Sequence, residues 1–129
     1  VLAGVNEYDH PKLPALRYAE ADVTKLAEVL GRAGYEVSLL TGRAADPDRR
    51  ATKANVEAAL ARVLRKAGKR DAVLVALAGH GVQFEGDADS YFCPPAAKPF
   101  RAEKDTLVSL KGAYGELERS LAGVKVLLV

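Results

Sequence analysis

Ala72-Val73-Leu74-Val75-Ala76-Leu77-Ala78, followed at once by Gly79-His80-Gly81, is the stretch whose reading decides the fold. A continuous apolar run with no period is what a strand covered on both faces requires, and such strands lie at the centre of parallel sheets. Upstream of it, Thr52 is placed to cap a helix whose apolar stripe is Val56, Ala59, Leu60, Val63, Leu64 and Ala67, with Gly68 closing it. Downstream, Val82-Gln83-Phe84 and Ser90-Tyr91-Phe92-Cys93 flank Glu85-Gly86-Asp87-Ala88-Asp89, a hairpin signal that Pro94-Pro95 stops.

The same alternation extends to both ends. Val1 to Val5 reads as a buried strand, expected to begin before Val1, that enters the polar stretch Asn6 to Pro11. Ala19, Val23, Leu26, Ala27, Leu30 and Ala33 recur on one helical face, predicting a helix from about Arg17 to Ala33 with Gly34 as its C-terminal cap. Tyr35 to Leu40 alternates as a half-open strand, and Thr41 to Asp48 is a loop. Ala96 to Asp105, carrying Lys98, Arg101 and Lys104, reads as a solvated loop, with a processing or substrate-facing loop as the alternative. Tyr114, Leu117 and Leu121 mark a short third helix, and Val124 to Val129 a further buried strand. Strands alternating with helices imply right-handed crossovers, so the predicted fold class is α/β, a three-layer αβα sandwich around a mostly parallel sheet.

Composition narrows the function classes. A chain of 129 residues with 49% hydrophobic and 28% charged residues has the makings of one packed core rather than a disordered tail. A formal charge of +2 is too mild a signature for nucleic acid, so no nucleic-acid partner is expected. No apolar run approaches the ~18 residues of a membrane span, and no membrane partner is expected. One cysteine provides neither an internal disulfide nor a zinc framework, which favours a reducing compartment and a cytoplasmic location. Val1 in place of an initiator Met suggests a trimmed start. With both ends in expected core strands, the chain reads as most of one domain whose remainder lies elsewhere.

Chemistry in such sheets gathers at the carboxyl ends of the strands, and His80 stands there between two glycines. Glycines beside it allow a tight turn that presents the imidazole. Histidine titrates nearest neutrality and serves as a general acid and base. The Gly81 N–H, bare of side-chain cover, suits a developing oxyanion. The plainer alternative is a turn after a core strand, with His80 bonded to a nearby carbonyl. His10 is the only other histidine, and no metal-ligand spacing surrounds either. Cys93 has no basic neighbour to lower its pKa and is read as packing; Ser90 and Ser109 are hairpin and helix-start residues. If the last strand lies beside Ala72 to Ala78, the residues following Val129 would face His80.

An ordered set of features resembles the caspase-like cysteine peptidases, which include metacaspases and the bacterial orthocaspases. The set is Val5-Asn6-Glu7-Tyr8, Leu16 to Leu30 with Asp22, Gly34-Tyr35-Glu36-Val37, Ala78-Gly79-His80-Gly81, Ser90-Tyr91-Phe92 and Lys125 to Val129. The resemblance implies a caspase-hemoglobinase-like fold and a cysteine endopeptidase with a His-Cys dyad. His80 would be the catalytic base and acid, Gly81 N–H part of the oxyanion hole, and Asp22 the substrate-binding carboxylate for a Lys or Arg preceding the cut bond. His80 lies 49 positions before Val129, against a caspase spacing of about 50 residues from His to Cys. The nucleophile is therefore expected just after Val129. This chain alone is expected to be inactive, and its partners to be a polypeptide substrate and the remaining, smaller-subunit part of the domain.

Two departures bear on specificity. Metacaspases commonly carry an Asn-Asp pair where this chain reads Glu20-Ala21-Asp22, and caspases that prefer Asp use an Arg near this segment, for which Arg17 and Arg32 are the candidates. No cofactor is expected. Calcium activates some metacaspases, but Asp87 and Asp89 lack the six to eight oxygens of a calcium loop and read as turn residues. Two other functions stay open: a caspase-like interaction module without catalysis, and an unrelated flavodoxin-like ligand-binding domain. Against the second, Asn6 to Pro14 contains no glycine for a phosphate loop.

Overall fold

In the computed structural model, which describes residues 1–129, the decisive run forms a strand over Ala72–Ala78. It is β3 of a four-stranded parallel sheet. The others are β1 (Leu2–Gly4), β2 (Leu39–Thr41) and β7 (Val124–Leu128), in the order β2-β1-β3-β7. Side chains on a strand alternate between faces, and β3 fills two different cores. Val73, Val75 and Leu77 join Ala3, Val5 and Leu40 beneath α2 (Lys53–Lys66) and α3 (Leu110–Arg119). Ala76 joins Leu2 and Val23 beneath α1 (Ala19–Arg32), with Leu74, Ala78, Leu26 and Leu30 packed around them. One helix below the sheet and two above give the expected three layers.

Caps set the helix ends. Thr52 Oγ1 accepts the Asn55 N–H at 3.2 Å, and Ser109 Oγ accepts that of Gly112 at 2.8 Å. Gly34, at φ +87°, closes α1 in a Schellman motif, in which Tyr35 N–H reaches Leu30 C=O and Gly34 N–H reaches Gly31 C=O. Gly68 does not repeat this role. Its φ is not positive; α2 ends in extended backbone at Ala67, and Gly68 N–H donates to the Asp71 carboxylate at 2.7 Å.

A second, antiparallel sheet, β4 (Gly81–Gln83), β5 (Ser90–Phe92) and β6 (Val108–Ser109), contains the expected hairpin and adds a third strand. Three expectations need correcting. The strand expected over Tyr35 to Leu40 is shortened to Leu39–Thr41, because the three residues of β1 pair only there. Tyr114 and Leu121 are exposed, and α3 packs through Ala113 and Leu117 instead. The last strand is not buried. β7 pairs only with β3, so it lies at the sheet edge, with Val124 and Leu128 about half exposed. The loop carrying Lys98, Arg101 and Lys104 is mostly exposed, as expected, but ordered. Arg101 to Thr106 forms a 3-10 turn, Lys104 ion-pairs with Asp87, and the Arg101 guanidinium bonds the Glu85 carbonyl.

Candidate active site

The carboxyl ends of β1 and β3 meet at His80. The β1–β3 ladder extends one residue beyond β1, where Val5 N–H donates to Ala78 C=O at 3.0 Å. His80 follows directly and is held at two points by the loop between β1 and α1. Its backbone N–H donates to Tyr8 Oη at 2.8 Å, and its Nε2 lies 2.8 Å from the Pro14 carbonyl. A carbonyl only accepts, so Nε2 carries a proton, and in the neutral ring Nδ1 is left with the lone pair. The Tyr8 ring packs against the imidazole with centroids 5.0 Å apart, and its hydroxyl donates to Val5 C=O at 3.1 Å. Burial pushes the Tyr8 phenol up to about 12, so it stays a neutral donor and acceptor.

The glycines around His80 work differently from the sequence expectation. Neither Gly79 nor Gly81 has a positive φ. At Gly79 the constraint is space, because a Cβ there would lie 2.7 Å from Tyr8 Oη and 2.9 Å from Phe92 Cε2. Gly81 opens β4 opposite Phe92, and Cys93 N–H donates to His80 C=O at 2.9 Å. That bond makes Gly81 and Phe92 the non-hydrogen-bonded pair of the ladder, so the Gly81 N–H points away from β5.

The loop that holds His80 is itself clasped to α1. Asn6 Oδ1 accepts the Glu20 N–H at 3.2 Å while Glu20 Oε1 accepts the Asn6 N–H at 3.1 Å. This is a capping box in effect, made across a loop, and it serves a helix whose own N-cap, Tyr18, offers no side-chain bond. Leu16 N–H to Asn6 C=O at 2.7 Å closes the loop on itself. Tyr8, Pro14, Asn6 and Glu20 carry no catalytic signature in the sequence. Tyr8 and Asn6 lie within the Val5 to Tyr8 motif and Glu20 within Leu16 to Leu30, so those three had a signal of position though none of role, and Pro14 had neither.

Asp22, on the first turns of α1, is exposed and forms no ion pair within the chain. It lines a cleft of about 240 Å³ together with Ala78, Gly79, Leu128 and Val129. The structure thus brings Asp22 to the backbone next to His80 and to the carboxyl end of β7. Arg17 and Arg32 are exposed and do not line this cleft. Cys93 is fully buried among Leu13, Tyr91, Ala97 and Leu107, and burial pushes its thiol up to about 11. His10 packs edge-on against Phe100, with ring centroids 5.2 Å apart. Asp87 and Asp89 are engaged by protein donors. Asp87 accepts from Lys104 and Tyr91, and Asp89 from Ser109 Oγ at 2.5 Å and Lys111 N–H at 2.9 Å.

A parallel α/β/α sandwich with a histidine at the exit of its central strand and a carboxylate in the adjoining cleft fits a caspase-like domain. Comparison with known families agrees, and by the match of the peptidase C14 caspase-domain model to residues 1–114 the chain belongs to the caspase family. That membership replaces the flavodoxin-like alternative. Among solved structures, a protein from Geobacter sulfurreducens, determined as a structural-genomics target, shares the fold with a TM-score of 0.72 and 24% identity. The match covers 98% of this chain and 46% of that one, so this chain spans less than half of that structure's length. No curated protein matches the chain. The family is one of cysteine peptidases acting on peptide substrates, and no helix here is long and apolar enough to cross a membrane.

Proposed function

We propose that the whole protein is a cysteine endopeptidase in which His80 is the general base and acid and the nucleophilic Cys follows β7. The observation that carries this reading is the His80 imidazole. Its Nε2–H is held by the Pro14 carbonyl, and its Nδ1 lone pair is free to take a thiol proton. Because β7 runs parallel to β3 with Leu128 opposite Ala76, a segment continuing from β7 is directed toward His80.

In this mechanism His80 Nδ1 accepts the thiol proton and the thiolate adds to the scissile carbonyl carbon. The oxyanion is stabilised by the outward Gly81 N–H together with the nucleophile's own N–H. The imidazolium gives its proton to the leaving amine as the C–N bond breaks, leaving a thioester. His80 then takes a proton from water, hydroxide adds to the thioester, and the thiol is regenerated. Asp22, unpaired in the cleft that reaches Gly79, would receive the cationic side chain preceding the cut bond. No cofactor enters any step. The buried, unpaired Cys93 supports a reducing compartment and hence a cytoplasmic location.

The test is cleavage of fluorogenic peptides ending in Arg, Lys or Asp by the full-length protein. Cleavage after Arg or Lys that falls by at least ~10³-fold in His80→Ala is expected, since removing the base abolishes both proton transfers. Unchanged cleavage by a folded His80→Ala protein overturns the reading.

A further inference from the structure

We propose that Tyr8 is a positioning residue for His80, acting as a hydroxyl inserted into a rung of the β1–β3 ladder; this rests on the peptidase reading of His80. In a parallel ladder the residue whose N–H bonds one strand's carbonyl offers its own C=O to the N–H two positions further along. Val5 N–H bonds Ala78 C=O, so the next regular bond is His80 N–H to Val5 C=O. That bond is replaced by a relay. His80 N–H donates to Tyr8 Oη, and Tyr8 O–H donates to Val5 C=O.

The insertion has two consequences. It spreads the carboxyl ends of β1 and β3 by the width of one oxygen, where a direct bond would draw His80 onto β1. It also fixes where the imidazole starts from, so that Nε2 reaches the Pro14 carbonyl on the same loop. The environment is fitted to the hydroxyl. Gly79 leaves the volume that Oη occupies, a Cβ there lying 2.7 Å from it, and the phenol ring flanks the imidazole at 5.0 Å. The phenol keeps its proton to about 12, so the relay persists across the pH range of any assay.

Removing the hydroxyl alone lets the ladder close its ordinary rung. The fold therefore survives Tyr8→Phe while the imidazole shifts away from Pro14. In the full-length protein the variant should keep its melting temperature within a few degrees. Its kcat should fall ~10- to 100-fold with KM little changed, the scale expected when a catalytic group is displaced without being lost. Nitrogen-15 NMR of the His80 ring should show the Nε2–H tautomer in the native protein and a mixture with Nδ1–H in Tyr8→Phe. Gly79→Ala is the second route, because it displaces the hydroxyl without deleting it. It should mix the tautomers too, and adding Tyr8→Phe should cost less than it does in the native background.

A His80-dependent peptidase whose Tyr8→Phe variant keeps both kcat and the single tautomer overturns the proposal. So does a Tyr8→Phe variant that loses stability but keeps the tautomer and the kcat of its folded fraction. If peptides are not cleaved at all, the peptidase reading fails by itself, and the tautomer change still decides whether Tyr8 sets the ring.

Discussion

Two carboxyl- and sulfur-bearing residues of similar sequence prominence end in opposite surroundings. Cys93 is fully buried with its thiol pushed up to about 11, so at neutral pH it is neither thiolate nor accessible. Iodoacetamide should leave it unlabelled in the native protein and modify it once denaturant is added. Cys93→Ser should destabilise by ~1–3 kcal/mol, because a hydroxyl replaces sulfur in an apolar cluster without a partner. Labelling of the native protein at the same rate as the unfolded one contradicts this placement. Asp22 faces solvent, unpaired, on the cleft beside Gly79. Asp22→Asn in the full-length protein should lower kcat/KM for Arg- and Lys-containing peptides about 10- to 100-fold, the worth of one charge-assisted bond. An equal loss on peptides with neutral or acidic residues there removes Asp22 from specificity.

The loop between β1 and α1 is the element on which the site depends, for it supplies both groups that hold His80. Its anchor to α1 is the reciprocal pair of Asn6 and Glu20. Asn6→Ala removes the side-chain acceptor for the Glu20 N–H and should cost ~0.5–2 kcal/mol, the usual worth of a helix cap, measurable by urea titration. Stability equal to the native protein shows that the clasp contributes nothing. The sequence displayed β3, the hairpin and the three helices clearly, because continuous apolar runs, turn residues and periodic stripes are local patterns. The place of His80 at a strand exit and the burial of Cys93 were readable for the same reason, whereas Asp22 was singled out only by the family resemblance. The Asn6–Glu20 clasp, the Tyr8 relay and the Pro14 contact were not, since the clasp closes a long loop and the other two reach His80 only through the parallel pairing of β1 and β3. The exposure of β7 was hidden likewise. An apolar strand looks the same in sequence whether or not a neighbour covers its outer edge, and Val124 and Leu128 are open in this chain.

Across the whole molecule, the shifted groups define a pH range of stability. On the acid side stands Asp87, whose bonds from Lys104, the Asp89 N–H and Tyr91 hold its carboxyl down to about 2. An unfolded Asp titrates near 3.9. Folding therefore favours the ionised form, and the stabilisation is complete above pH 4 and is lost as pH falls toward 2. On the alkaline side Cys93 and Tyr8 are pushed up by burial to about 11 and about 12, from ordinary values of 9.0 and 10.0. Here folding favours the protonated form, so their stabilisation is complete below pH 9 and declines as pH rises through 11 and 12. The Asp87 cluster also feeds the alkaline limb, since Lys104 is pushed up by its bond to Asp87 and Tyr91 by burial and Asp87. The acid limb ties the β4–β5 hairpin to the 3-10 turn at Arg101–Thr106, whereas Tyr8 on the alkaline limb lies at the junction of β1 and β3. Thermal melts from pH 2 to 11 should give a plateau with a fall at each end. Asp87→Asn should flatten the fall below pH 4 and weaken the alkaline fall only in part, because Lys104 and Tyr91 lose their partner whereas Tyr8 and Cys93 keep their burial; an unchanged acid limb in that variant shows that other carboxylates govern it.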